Sequence, residues 1–140
     1  MKADYAKITQ EEKDALCNGV GPQYLDWVCA LVPLRELFED PANLHDWDYG
    51  VGGRLSEYAR ANLRFYAGCL RSVADQSPLW KWPYHLIVAH LYYLLVKLFG
   101  GLSFHWGYPR SQEDMHALAV QIHVKYLKDS IYEEHKEKRP

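Results

Sequence analysis

A chain of 140 residues is long enough for one domain with a hydrophobic core and too short for two comfortable ones. With 16 basic residues against 18 acidic ones, a net charge of -2, it offers no bulk electrostatic attraction to nucleic acid, and that class of partner is not expected. Hydrophobic residues at 49% and aromatics at 14% exclude disorder over most of the chain, and three widely spaced cysteines match neither a disulfide framework nor a zinc pattern.

The first residues, MKADYAKITQEEKDAL, are charged and lack the apolar core of a signal peptide, so a reducing, cytoplasmic location is expected. Thr9 and Glu12 have the form of a capping box, which predicts a short helix over about 10–16. The glycine loop CNGVGP follows it. From Pro22 to Phe38 apolar residues recur at helical spacing around Pro33, predicting two short helical pieces.

A further helix should carry HDWDY and stop at the glycines Gly50, Gly52 and Gly53. The pattern from Leu55 to about Asp75 is helix-favouring, with Leu55, Ala59, Leu63, Tyr66 and Leu70 as its apolar stripe. From Tyr84 to Phe99 runs an almost wholly apolar helix, interrupted by His85, His90 and Lys97 and shorter than the ~20 residues of a spanning helix. It is expected to be interfacial or buried on several sides.

The aromatic loop from Leu102 to Pro109 would also fit a short extended segment. Ser111 can cap a last helix with Met115, Leu118, Ala119, Ile122 and Tyr126 on one face, and the tail EEHKEKRP should fray. Strand alternation is absent throughout. The reading is an all-α single domain over 1–140, with aromatic-rich C-terminal helices over 78–135.

Chemistry concentrates at His45 and Asp46. Adjacent on a helix, their side chains leave about 100° apart and serve different neighbours around one cavity, with Tyr49 one turn after the histidine. In CNGVGP glycine uncovers the main chain, and backbone carbonyls with a carboxylate are the hard oxygen ligands that calcium takes. Simpler readings stand beside these: a polar helix end for His45-Asp46, and a helix C-cap with a turn for NGVGP.

His116 and His123 share a face of the last helix without an evident third ligand, and His85 and His90 fall on different sides of theirs. Satisfied core or rim histidines are the expected roles. Trp80, Trp82, Tyr84, Tyr92, Tyr93 and Trp106 suit an interfacial surface, although core packing is the favoured explanation.

Over residues 16–70 the sequence resembles the phospholipase A2 superfamily, in which a glycine-rich calcium loop precedes a helix bearing a His-Asp pair. His45-Asp46-Trp47-Asp48-Tyr49 fits HDxxY, and Asn18-Gly19-Val20-Gly21-Pro22 looks like the calcium loop. The absent cysteines match the bacterial or virus-encoded members without disulfides. The resemblance implies an antiparallel helix pair and calcium-dependent hydrolysis of phospholipid acyl esters. His45 would activate water, while Asp46 and the backbone carbonyls of Cys17, Gly19 and Gly21 would hold calcium.

The family orients its histidine with an aspartate on the following helix. Here that position is Asn62, flanked one turn away by Tyr58 and Tyr66. Asparagine accepts a hydrogen bond but adds no charge, which implies weak activity. The implied partner is a phospholipid or membrane surface. The alternative is a non-enzymatic structural or interaction protein on the same scaffold, with self-association through the apolar helix and the tryptophans.

Overall fold

The computed structural model describes residues 3–17, 34 and 36–137, and for 130–137 only the course of the backbone. Among these residues the protein is all-α, with five α-helices and no strand. The helices are α1 (Gln10–Cys17), α2 (Glu39–Val51), α3 (Leu55–Gln76), α4 (Trp82–Phe99) and α5 (Gln112–Glu137).

Local chemistry sets most of their ends. The Thr9 amide donates to the Glu12 carboxylate at 2.7 Å and the Glu12 amide to the Thr9 hydroxyl at 3.2 Å, so the capping box starts α1 as expected. Ser111 and Asp114 exchange the same pair of bonds before α5, at 2.9 and 3.2 Å. Glu39 and Asp40 place negative charge in the first turn of α2, where the helix dipole favours it.

α2 stops at Gly52, whose φ of 71° lies in the left-handed region and whose amide returns to the Asp48 carbonyl at 2.9 Å. A Cβ at Gly52 would run into the His105 carbonyl, so only glycine fits. Three residues later α3 begins, and the two helices form the expected antiparallel pair. The loop after α4 is fastened across this turn: His105 donates to the Tyr49 carbonyl at 3.1 Å and Gly53 to the His105 carbonyl at 2.9 Å.

α2 is the central element because its two sides serve two cores. Trp47 and Val51 pack with Leu16 of α1 and with Met115 and Ala119 of α5. About 200° around the helix, His45 and Tyr49 turn towards α3. On that side Phe38, Phe65, Cys69, Val73, Val88 and Ala89 close a second core between α3 and α4. Tyr49, Ala61 and Phe104 form a smaller third cluster at the end of the helix pair.

Several expectations are corrected. The buried face of α3 is Ala61, Asn62, Phe65, Cys69, Ser72 and Val73, whereas Leu55 and Leu63 are exposed. The apolar stripe counted from the sequence passed over the true inner face because that face contains a polar residue, Asn62. α4 buries only His85, Val88 and Ala89 and leaves most of its apolar side chains in solvent. Its surroundings include the 3-10 turns Leu79–Lys81 and Gly100–Leu102, so the helical run Leu79–Leu102 reaches 24 residues, long and apolar enough to cross a membrane.

The aromatic loop makes one isolated parallel bridge, Gly53 with Trp106, and no strand. α5 continues to Glu137, further than a frayed tail would allow. The helical pieces expected between Pro22 and Phe38 fall largely outside the described residues, where only Leu34 and the 3-10 turn Glu36–Phe38 belong to that stretch.

Candidate active site

The helix pair brings His45 and Asn62 together. His45 is 7% exposed and Asn62 2% exposed, and the imidazole Nε2 lies 3.1 Å from the amide Oδ1. That oxygen can only accept, so Nε2 carries the hydrogen and, in the neutral ring, Nδ1 keeps its lone pair. The Tyr49 hydroxyl donates to the same oxygen at 2.7 Å and lies 3.3 Å from the Val96 carbonyl of α4. Two donors thus converge on Oδ1, which fixes the amide.

Aromatic rings immobilise the imidazole. The Tyr49 ring sits 3.9 Å and the Phe65 ring 4.9 Å from its centre. Burial, with Tyr58 next to it, raises the Tyr49 pKa and keeps its hydroxyl protonated as a donor. Tyr58 donates to the carbonyls of Val96 at 3.0 Å and Lys97 at 2.8 Å, near the end of α4. Both tyrosines therefore tie the site to α4, and Gly100 gives the Tyr49 hydroxyl its space, since a Cβ there would overlap it.

Tyr66 does not join this network. Its ring stacks on Tyr93 at 4.8 Å and its hydroxyl lies 3.4 Å from His90, on the α4 side of the pair. Asp48 points elsewhere too, held by Arg64 at 3.0 Å. Phe65 escaped the sequence reading although it stands three residues after Asn62, the helical neighbour position on the same face.

Asp46 lies on the open side of the histidine. Its Oδ1 is 3.9 Å from the His45 Nδ1, too long for a hydrogen bond. The side chain keeps 37% of its surface, yet the protein packed around it desolvates the carboxylate and raises its pKa, an effect that His45 only partly offsets. Among the described residues no lysine or arginine pairs with it. A desolvated carboxylate without a fixed cation suits a bound one.

α1 ends beside this carboxylate. The Cys17 thiol donates to the Asn43 carbonyl at 3.4 Å, and its pKa is pushed up to about 12 by burial first and then by the negative charges of Asp46 and Asp14. As the last residue of α1, Cys17 has a carbonyl among those without an intrahelical donor. The Cys17 carbonyl and the Asp46 carboxylate are oxygen donors of the type calcium takes, while Gly19 and Gly21 lie outside the described residues.

His85, His90 and His116 have partners away from this site. His85 is buried against the Ser77 hydroxyl at 2.6 Å, a satisfied core histidine. His116 lies 2.5 Å from the Glu12 carboxylate, and both line a groove between α1 and α5 with His123 on its rim. Among the described residues no three His, Cys, Asp or Glu side chains cluster to hold a metal. Comparisons of the chain with protein-family models, with curated proteins and with solved structures give no match.

Proposed function

We propose that the protein hydrolyses phospholipid acyl esters in a calcium-dependent, phospholipase A2-like reaction centred on His45. The observation that carries this reading is the 3.1 Å contact from His45 Nε2 to Asn62, which leaves Nδ1 on the Asp46 side, 3.9 Å from the carboxylate, as the site for a proton from water. Nδ1 takes the proton of a water whose oxygen forms a bond to the ester carbonyl carbon. The imidazolium then returns the proton to the departing lysophospholipid oxygen as the acyl bond breaks.

Asp46 and the Cys17 carbonyl, with Gly19 and Gly21, would hold calcium, which supplies polarisation of the ester carbonyl and compensation of the oxyanion charge. Asn62 holds the ring and its tautomer but gives the imidazolium no opposite charge, so turnover is slow. The same substitution, with the exposed apolar helix α4, favours a second reading: a scaffold that binds a partner without catalysis.

Mass spectrometry of phosphatidylglycerol vesicles incubated with the protein and calcium tests the proposal. Fatty acid and lysophospholipid are expected in equal amounts from wild type and at background from His45→Ala. Equal release by both proteins contradicts it.

A further inference from the structure

The outer side of α4 is apolar, exposed and flanked by positive charge. Ile87, Leu91, Leu94 and Leu98 follow one another at helical spacing, with Ile87 60%, Leu91 54% and Leu98 72% exposed, and Trp80 before them is 77% exposed. A row of this length is far more than the scattered exposed leucine of a soluble surface. From Ser77 to Ser111 there is no Asp or Glu, while Lys81, Lys97 and Arg110 remain. All 18 acidic residues of the chain lie outside this stretch, so its charge is opposite in sign to that of the rest.

Lys81 and Lys97 stand at the two ends of α4, each over an aromatic ring, Trp80 at 4.9 Å and Tyr93 at 5.8 Å. Long cationic side chains at the ends of an apolar stripe, with tryptophan and tyrosine beside them, are the composition that settles at a lipid interface and pairs with anionic headgroups. We propose that the protein docks on anionic membranes through the outer face of α4, with the helix lying flat in the interface. The proposal names the docking surface for the lipid-hydrolase reading and rests on that reading for its purpose.

Lying flat, rather than spanning, follows from what holds the inner side of α4. Tyr58 is bonded to the Val96 and Lys97 carbonyls, and Tyr66 stacks on Tyr93, so α4 entering a bilayer would have to break these contacts or take α3 with it. α3 exposes Arg60, Arg64 and Arg71, which hydrocarbon would exclude. The same inner side carries the Val96 carbonyl beside the Tyr49 hydroxyl that fixes Asn62. Docking through the outer side therefore engages a helix whose inner side supports the His45 network.

The test is sedimentation of the full chain carrying His45→Ala with vesicles of phosphatidylglycerol and phosphatidylcholine, so that binding is read without hydrolysis. Binding is expected to weaken about ten-fold for Leu91→Glu and again for Leu98→Glu. Lys81→Glu with Lys97→Glu should remove the preference for phosphatidylglycerol over phosphatidylcholine alone. Circular dichroism melts check that these exposed substitutions leave the fold intact, and Val120→Ser in the distant α1–α5 groove should bind as the parent does.

Parent-like binding by folded Leu91→Glu/Leu98→Glu overturns the proposal. So does a parent that does not sediment with the vesicles, one that resists extraction by alkaline carbonate as a spanning protein would, or one that is a dimer broken by Leu91→Glu. If the hydrolase reading alone fails, vesicle binding persists without fatty-acid release. If docking alone fails, release from a dispersed short-chain phospholipid persists without vesicle binding.

Discussion

Replacing Asn62 by aspartate puts a carboxylate where the amide oxygen now accepts from His45 and Tyr49 at 3.1 and 2.7 Å. Both partners are donors, so the hydrogen bonds survive the exchange and the new term is charge. At 3.1 Å and an effective dielectric of 20, a carboxylate stabilises the imidazolium by about 5 kcal/mol. Desolvation opposes this by several kcal/mol, because the position is 2% exposed. A net gain of about 3 kcal/mol in the transition state corresponds to roughly 10²-fold in rate. The assay is fatty-acid release from vesicles by wild type and Asn62→Asp at equal calcium, with thermal melts to establish that both are folded. A folded Asn62→Asp protein with release equal to or below that of wild type refutes the assignment of Asn62 as the support of His45.

Other consequences follow from the same contacts. A carboxyl whose folded pKa lies above its unfolded value binds protons more tightly when folded, so stability is highest below 3.8 and declines as pH rises towards the folded value. Asp46→Asn should therefore raise the melting temperature at pH 7 in chelator and abolish any stabilisation by calcium. A lower melting temperature in chelator contradicts this. With the Cys17 pKa at about 12, only about one thiol in 10⁴ is ionised at pH 8, and peptide mapping should find native Cys17 alkylated far more slowly than in denaturant. Gly100→Ala drives a methyl into the Tyr49 hydroxyl and should destabilise the fold by about 1–3 kcal/mol in denaturant titration, a loss that an unchanged midpoint would disprove. Phe65→Ala opens the core beneath His45 and should remove about 3–5 kcal/mol, measured the same way.

The sequence carried the helix ends better than the faces. Capping pairs at Thr9-Glu12 and Ser111-Asp114, and the glycine stop after Val51, are local chemistry and are legible one turn at a time. The inner face of α3 was not legible by apolar counting, because Asn62 is buried for its hydrogen bonds and Leu55 and Leu63 remain outside. For α4 the sequence shows only that the helix is apolar; whether such a helix is covered depends on how many neighbours reach it.

At the site, the pairing of His45 with Asn62 was implied by the family resemblance, which puts the partner of the histidine on the following helix. The involvement of Val96, Lys97 and Gly100 did not. They act through main-chain carbonyls and the absence of a side chain, which leave no residue-type signal. Tyr66 has the right spacing from Asn62 but is drawn to Tyr93 and His90 by α4, a long-range contact that the helical period of α3 alone does not contain.

The most direct measurement is the initial rate of fatty-acid release from phosphatidylglycerol vesicles as calcium is titrated, for wild type and Asp46→Asn. Wild-type release should rise with calcium to a plateau and vanish in chelator, while Asp46→Asn stays at background across the range. Release that is indifferent to calcium, or equal in the two proteins, contradicts a calcium-assisted centre at His45 and Asp46.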